Sequence, residues 1–130
     1  MDNIYLQMEK DIMKLLLTGP DDFFDILREQ YANAEVKSRE YTGVGFFTVY
    51  QIKDHCRRVE NRNFQIADGE GSLNEDNVSI GFVLFIREGK LETLEGFTYD
   101  DRWPEKIYKY KLWYTDNRRD YEALREKWKK

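Results

Sequence analysis

One stretch, VSIGFVLFIREGKLETLEGF at residues 78–97, constrains this chain more than any other. Val78 to Ile86 is a continuous run of apolar and β-branched residues, bounded by the polar residues Arg87–Lys90, the texture of a central strand covered on both faces. Glu88 and Gly89 stand between two extended arms at the spacing of a two-residue turn. An antiparallel hairpin of Phe82–Arg87 and Lys90–Phe97 is therefore expected. A sheet has to be built around it.

The 130 residues are enough for one domain with a core of its own, and no linker, repeat or low-complexity segment divides 1–130. Aromatic residues make up 15% of the chain and there are only two prolines, which favours an ordered fold over a highly charged disordered one. The single Cys56 has no disulfide partner in the chain, and no secretory signal pattern opens it, so the expected compartment is the cytoplasm. The longest apolar run, Ile80 to Ile86, falls far short of the roughly 18 residues that a membrane span needs.

Upstream of the hairpin, Ile4, Met8, Ile12, Leu15 and Leu16 recur at helical spacing, predicting a helix over Asp2–Leu17. Gly19 breaks it. A second helix is expected from Pro20 to Ala34, with Asp21 and Asp22 in a first turn that favours negative charge, and with Phe23, Ile26, Leu27 and Tyr31 inward. From Glu35 the chain reads as one or two strands interrupted around Gly43 and Gly45. Residues 53–63 read as a polar, partly exposed loop, FQIADGEGSL as a short strand, and Asn74–Asn77 as a turn. Tyr108, Tyr110, Leu112 and Tyr114 alternate with Lys109 and Lys111, as on a half-exposed edge strand. The last segment, capped by Asp116 or Asn117, sets Tyr121, Leu124 and Trp128 at helical spacing, and Lys127, Lys129 and Lys130 complement its dipole. The expected fold is α+β: an antiparallel sheet of about four to six strands with two N-terminal helices and one C-terminal helix.

Several chemistries lose support at the level of sequence. His55 and Cys56 are adjacent, and neighbouring side chains on extended backbone face opposite ways, so they make a poor catalytic pair. With no second cysteine or histidine to complete a zinc site, any metal would have to be held mainly by carboxylates. DGEG and NEDN lack the ligand spacing of a calcium loop, and the phosphate-cradling and nucleophile-elbow patterns are absent, so no cofactor is expected. The formal net charge is −4. Residues 1–67 carry −2, residues 68–101 carry −7 and residues 102–130 carry +5. This balance argues against nucleic acid as a partner, and the acidic middle either neutralises the basic tail or faces a cationic partner.

The residues left to consider are Glu92, Glu95, Tyr99, Asp100, Asp101 and Trp103. Paired carboxylates among aromatics are the equipment of glycoside hydrolysis. Strict alternation turns Glu92 away and puts Glu95 on a face with Leu91, Thr93 and Phe97, where it is either bonded structurally or poised for function. Asp100 and Asp101 either cap the Trp103–Pro104 turn or face a partner.

With VGFFTVYQI and the pattern GFxLFxxxGxxxxLEGxTYxxxWP, which runs from Gly81 to Pro104, the chain resembles a group of small bacterial cytosolic proteins. The resemblance covers roughly Gly43 to Glu105 and implies no catalytic residue. Small acidic proteins of this kind include immunity partners of bacterial toxins. The expectation it supports is a non-enzymatic binding protein for a basic toxin domain, with Glu95, Tyr99, Asp100, Asp101 and Trp103 at the partner. The alternative is a small enzyme or ligand-binding module using Glu95 with Asp100 or Asp101.

Overall fold

A computed structural model describes residues 3–60, 62–75, 78–99 and 102–128. Two helices, α1 (Asn3–Leu16) and α2 (Asp22–Ala32), lead into β1 (Glu35–Tyr41), β2 (Gly45–Gln51), β3 (Phe64–Leu73), β4 (Val78–Arg87), β5 (Lys90–Thr98) and β6 (Tyr110–Tyr114), and α3 (Tyr121–Trp128) follows. The strands form one antiparallel sheet in the order β1-β2-β5-β4-β3-β6, which puts the predicted hairpin at its centre. The fold is α+β. No helix among the described residues is long and apolar enough to cross a membrane.

The hairpin turn has positive φ at both central residues, 53° at Glu88 and 77° at Gly89, the backbone that matches the twist of the flanking strands. Its polar groups are held from outside. Asn63 accepts from the Glu88 amide at 2.8 Å, and Gly89 donates to the Arg62 carbonyl at 2.9 Å. From α2, the fully buried Gln30 donates to the Gly89 carbonyl at 2.9 Å and accepts from the Leu91 amide at 2.9 Å. The sheet centre is thereby tied to a helix by polar as well as apolar contacts.

All three helices lie on one face of the sheet. Met8, Ile12, Met13 and Leu16 of α1, with Phe24 and Leu27 of α2, meet Phe46, Ile66, Ile80, Phe82, Leu84 and Leu94 in the core. Alternation then sends Val83 and Phe85 to the other face, where they are half-buried. This corrects the expectation that β4 is covered on both faces: its apolar run packs under helices on one side only.

Other differences have local causes. Asp21 takes the N-cap position of α2, leaving Pro20 before the cap, and the fully buried residues of the helix are Phe24, Leu27 and Gln30. Phe23, Ile26 and Tyr31 flank that stripe instead of forming it. In the 53–63 loop His55 is exposed while Cys56 is buried, so the two part as expected, but the thiol belongs to the core. α3 is capped by Asp120, whose side chain accepts from the Ala123 amide at 3.0 Å; Asn117 sits in the preceding turn with φ 65°. Asp100, Asp101, Asp76, Asn77 and the side chains of the last four residues lie outside the described residues.

Candidate functional site

The three expected site residues that the structure describes, Glu95, Tyr99 and Trp103, do not converge. Asp100 and Asp101 lie outside the described residues, and the other three are divided between the two faces of the sheet. Trp103 lies on the helix face: its ring meets Phe46 edge-on at 5.6 Å and its amide donates to the Gly43 carbonyl at 2.9 Å. Glu95 and Tyr99 lie on the opposite face.

A β-bulge produces this division. Phe85 pairs with Thr93 but Ile86 pairs with Leu91, so Glu92 is an extra residue between them. The bulge reverses the alternation, and Leu91 and Leu94 both point into the core. Glu95 therefore does not share a face with Leu91, as strict alternation predicts, and stands on the open face. Glu92, set aside by the bulge, pairs with Arg87 at 3.1 Å.

Three cross-strand rows define the centre of that open face. Glu40, Phe47, Glu95 and Val83 form one. Gly45, Phe97, Gly81, Glu70 and Trp113 form the next, and Ser38, Val49, Thr93, Phe85 and Gln65 the third. Side chains directly opposite in such rows are nearest neighbours. Glu40 and Glu95 thus flank Phe47, while Glu70 accepts from the Trp113 indole at 3.0 Å. Gly81 leaves room for rings: a Cβ there would come within 2.6 Å of the Tyr99 hydroxyl and 2.7 Å of Phe97. Phe97 and Tyr99 meet edge-on at 5.3 Å. Burial, and after it Glu70, pushes the Tyr99 phenol up. None of the residues in the three rows is basic.

The helix face holds the buried charged groups Glu9 and Arg119, which the sequence reading missed. Glu9 of α1 accepts from Arg39 at 2.8 and 3.2 Å and from the Thr48 hydroxyl at 2.7 Å. Its signal was present: Glu9 falls one residue after Met8 and four after Tyr5, inside the apolar stripe of α1. Arg119, its side chain 1% exposed, makes two bonds to Asp68 at 2.8 and 2.9 Å. It also donates to the carbonyls of Leu16 and Thr18 at the end of α1, and lies between the rings of Phe24 and Tyr114. These groups join helices to strands.

Beside Trp103, on this same face, a cavity of about 250 Å³ opens between α1, the β1–β2 turn and the segment before β6. Tyr5, Tyr41 and Trp103 supply its aromatic walls, and among the described residues Glu105 supplies its one charge. Among the described residues no group of three or more histidine, cysteine, aspartate or glutamate side chains gathers closely enough to hold a metal ion. Comparison with protein-family models, curated proteins and solved structures found no match to this chain.

Proposed function

We propose that this is a non-enzymatic binding protein whose open sheet face docks onto a cationic surface of a protein partner, in the manner of an immunity protein covering a basic toxin domain. The observation that carries the reading is the composition of the three rows: Glu40, Glu95 and Glu70 interleaved with Phe47, Phe97, Phe85 and Trp113, without a lysine or arginine. Aromatic anchors supply contact area and desolvation, while carboxylates of one sign steer and orient a cationic partner. Glu95 has no ion-pair partner among the described residues, so its charge is available to an incoming lysine or arginine. The sheet holds these side chains at fixed spacing, so the surface is organised before the partner arrives. The toxin assignment rests on the resemblance of the Gly81–Pro104 hairpin.

A catalytic pairing of Glu95 with Asp100 or Asp101 has less support. Glu95 stands between Phe47 and Val83 on a sheet face, and the cavity beside Trp103 is on the other side.

A photo-crosslinking residue at Thr93 tests the docking reading in cells of the native host. The expected product is one basic protein domain whose capture falls as salt rises, and falls again in the Glu40→Gln, Glu95→Gln double variant. Capture that ignores both salt and the double substitution would overturn the electrostatic reading. Co-expression with a toxin encoded beside this gene tests the immunity assignment: protection of the cell is expected, and its absence would remove that part alone.

A further inference from the structure

From the cavity beside Trp103 we infer a second binding site, for a small fully alkylated ammonium ion such as a choline-type head group. The site opens on the helix face and shares only Gly45 with the docking rows, and its ligand differs from a protein partner, so either reading can fail without the other.

The walls are aromatic and come from three separate parts of the chain. Tyr5 stands on α1, Tyr41 ends β1, and Trp103 begins the segment leading to β6. Their rings belong to an edge-to-face series. Tyr41 meets Tyr5 at 5.4 Å and 66°, Tyr5 meets Phe46 at 5.3 Å and 69°, and Phe46 meets Trp103 at 5.6 Å and 77°. Edge-to-face packing fixes these rings against one another, and Tyr5, Tyr41 and Trp103 line the cavity, where an aromatic π face attracts a cation without a hydrogen bond to it.

Charge selects the ligand further. Among the described residues the lining contains no lysine, arginine or histidine, and Glu105, itself exposed, is the only charged one. An anion would meet π faces and a carboxylate, and a strongly hydrated ammonium would lose its water to partners that cannot replace it. An alkylated ammonium carries its charge under methyl groups, so it suits an apolar wall with a carboxylate at the edge.

Space and one buried group agree with this. An apolar cavity of about 150 Å³ holds a benzene molecule, so about 250 Å³ is ample for a quaternary ammonium head. A Cβ added at Gly43 would find no atom within 4 Å, so the turn leaves its side of the cavity open. The Tyr5 hydroxyl is buried and completes no hydrogen bond among the described residues, although Tyr41 is near enough to raise its pKa, second to burial itself.

The test is titration of the isotopically labelled protein with choline and, separately, with 3,3-dimethylbutanol, the uncharged analogue of the same shape, followed by amide and indole chemical shifts. Choline is expected to shift Gly43, Gly45 and Trp103 saturably in the millimolar range and to bind about tenfold more tightly than the neutral analogue. Tyr41 is 52% exposed, so Tyr41→Leu should keep the fold while weakening choline severalfold, as should Glu105→Gln. The unchanged dispersion of the other amides verifies folding in each variant. Equal affinity for the two ligands would overturn the cation assignment and leave a neutral apolar pocket. Shifts that never saturate, or that survive both substitutions unchanged, would remove the site.

Discussion

The two faces of the sheet carry acidic residues in opposite circumstances. On the helix face Glu9 is 4% exposed and accepts three hydrogen bonds from Arg39 and Thr48. On the open face Glu95 is half-buried, with Phe47 and Val83 as its lateral neighbours and no ion pair among the described residues. A buried carboxylate without partners would be costly, so a charge survives in a core only where donors surround it. Glu9 is committed to joining α1 to β1 and β2. A half-solvated carboxylate needs no such commitment, and Glu95 is free to meet something outside the molecule. Burial thus sorts like residues into structural and interactive roles.

The largest effect expected on this contrast comes from Arg119→Ala. It takes the buried guanidinium from the partly buried Asp68 and from the Leu16 and Thr18 carbonyls, and removal of one partner from a buried pair costs up to about 3–5 kcal/mol. Urea unfolding measures the loss; a change under about 1 kcal/mol would show that the buried network is dispensable. Glu9→Gln keeps the shape but removes the charge, leaving Arg39 and Thr48 imperfectly matched, for an expected loss of about 1–3 kcal/mol in the same assay.

A third expectation concerns alkali. Burial pushes the phenols of Tyr5, Tyr31 and Tyr50 up, and Glu9 raises each further; burial and a bond to Asp11 push Tyr110 up to about 12. A phenol whose folded pKa exceeds its unfolded value near 10 holds its proton more tightly in the native state. Its stabilisation is complete below pH 10 and is lost as the pH climbs from there through about 12. Stability should therefore fall over that window, and the phenolate absorbance of the Glu9 cluster should rise only with unfolding. Titration of all nine tyrosines near pH 10 in the folded protein would contradict this.

The smallest effect on the fold, and a clear one on binding, is expected on the open face. Glu95→Gln should change stability by no more than about 0.5 kcal/mol. Its association with a cationic partner should slow by up to about tenfold at low salt, a difference that shrinks as salt is raised. Destabilisation of the size expected for Glu9→Gln would erase the contrast between the two carboxylates.

The parts of the fold legible in the sequence are those set by short-range rules. The Glu88–Gly89 turn, the helical spacing of Ile4 to Leu16, the break at Gly43 and the alternating edge strand around Lys111 all reflect backbone geometry over a few residues. Such rules were enough for an antiparallel α+β fold with three helices placed correctly along the chain. The site was less legible. The bulge at Glu92 adds one residue to one strand, and because side chains alternate with a period of two, it reverses every later assignment on β5. Trp103 lies only a few residues beyond Tyr99 yet ends on the other face, beside Phe46.

Sequence alone determined which segments extend, which coil and where the chain turns, because those choices depend on neighbours within one or two turns of backbone. Tertiary structure decided which carboxylates became structural and which stayed at the surface, since that depends on donors such as Arg39, Thr48 and Arg119, up to 51 residues away along the chain. The placement of all three described helices on one face of the sheet turned an apolar hairpin into one wall of a core and one open surface.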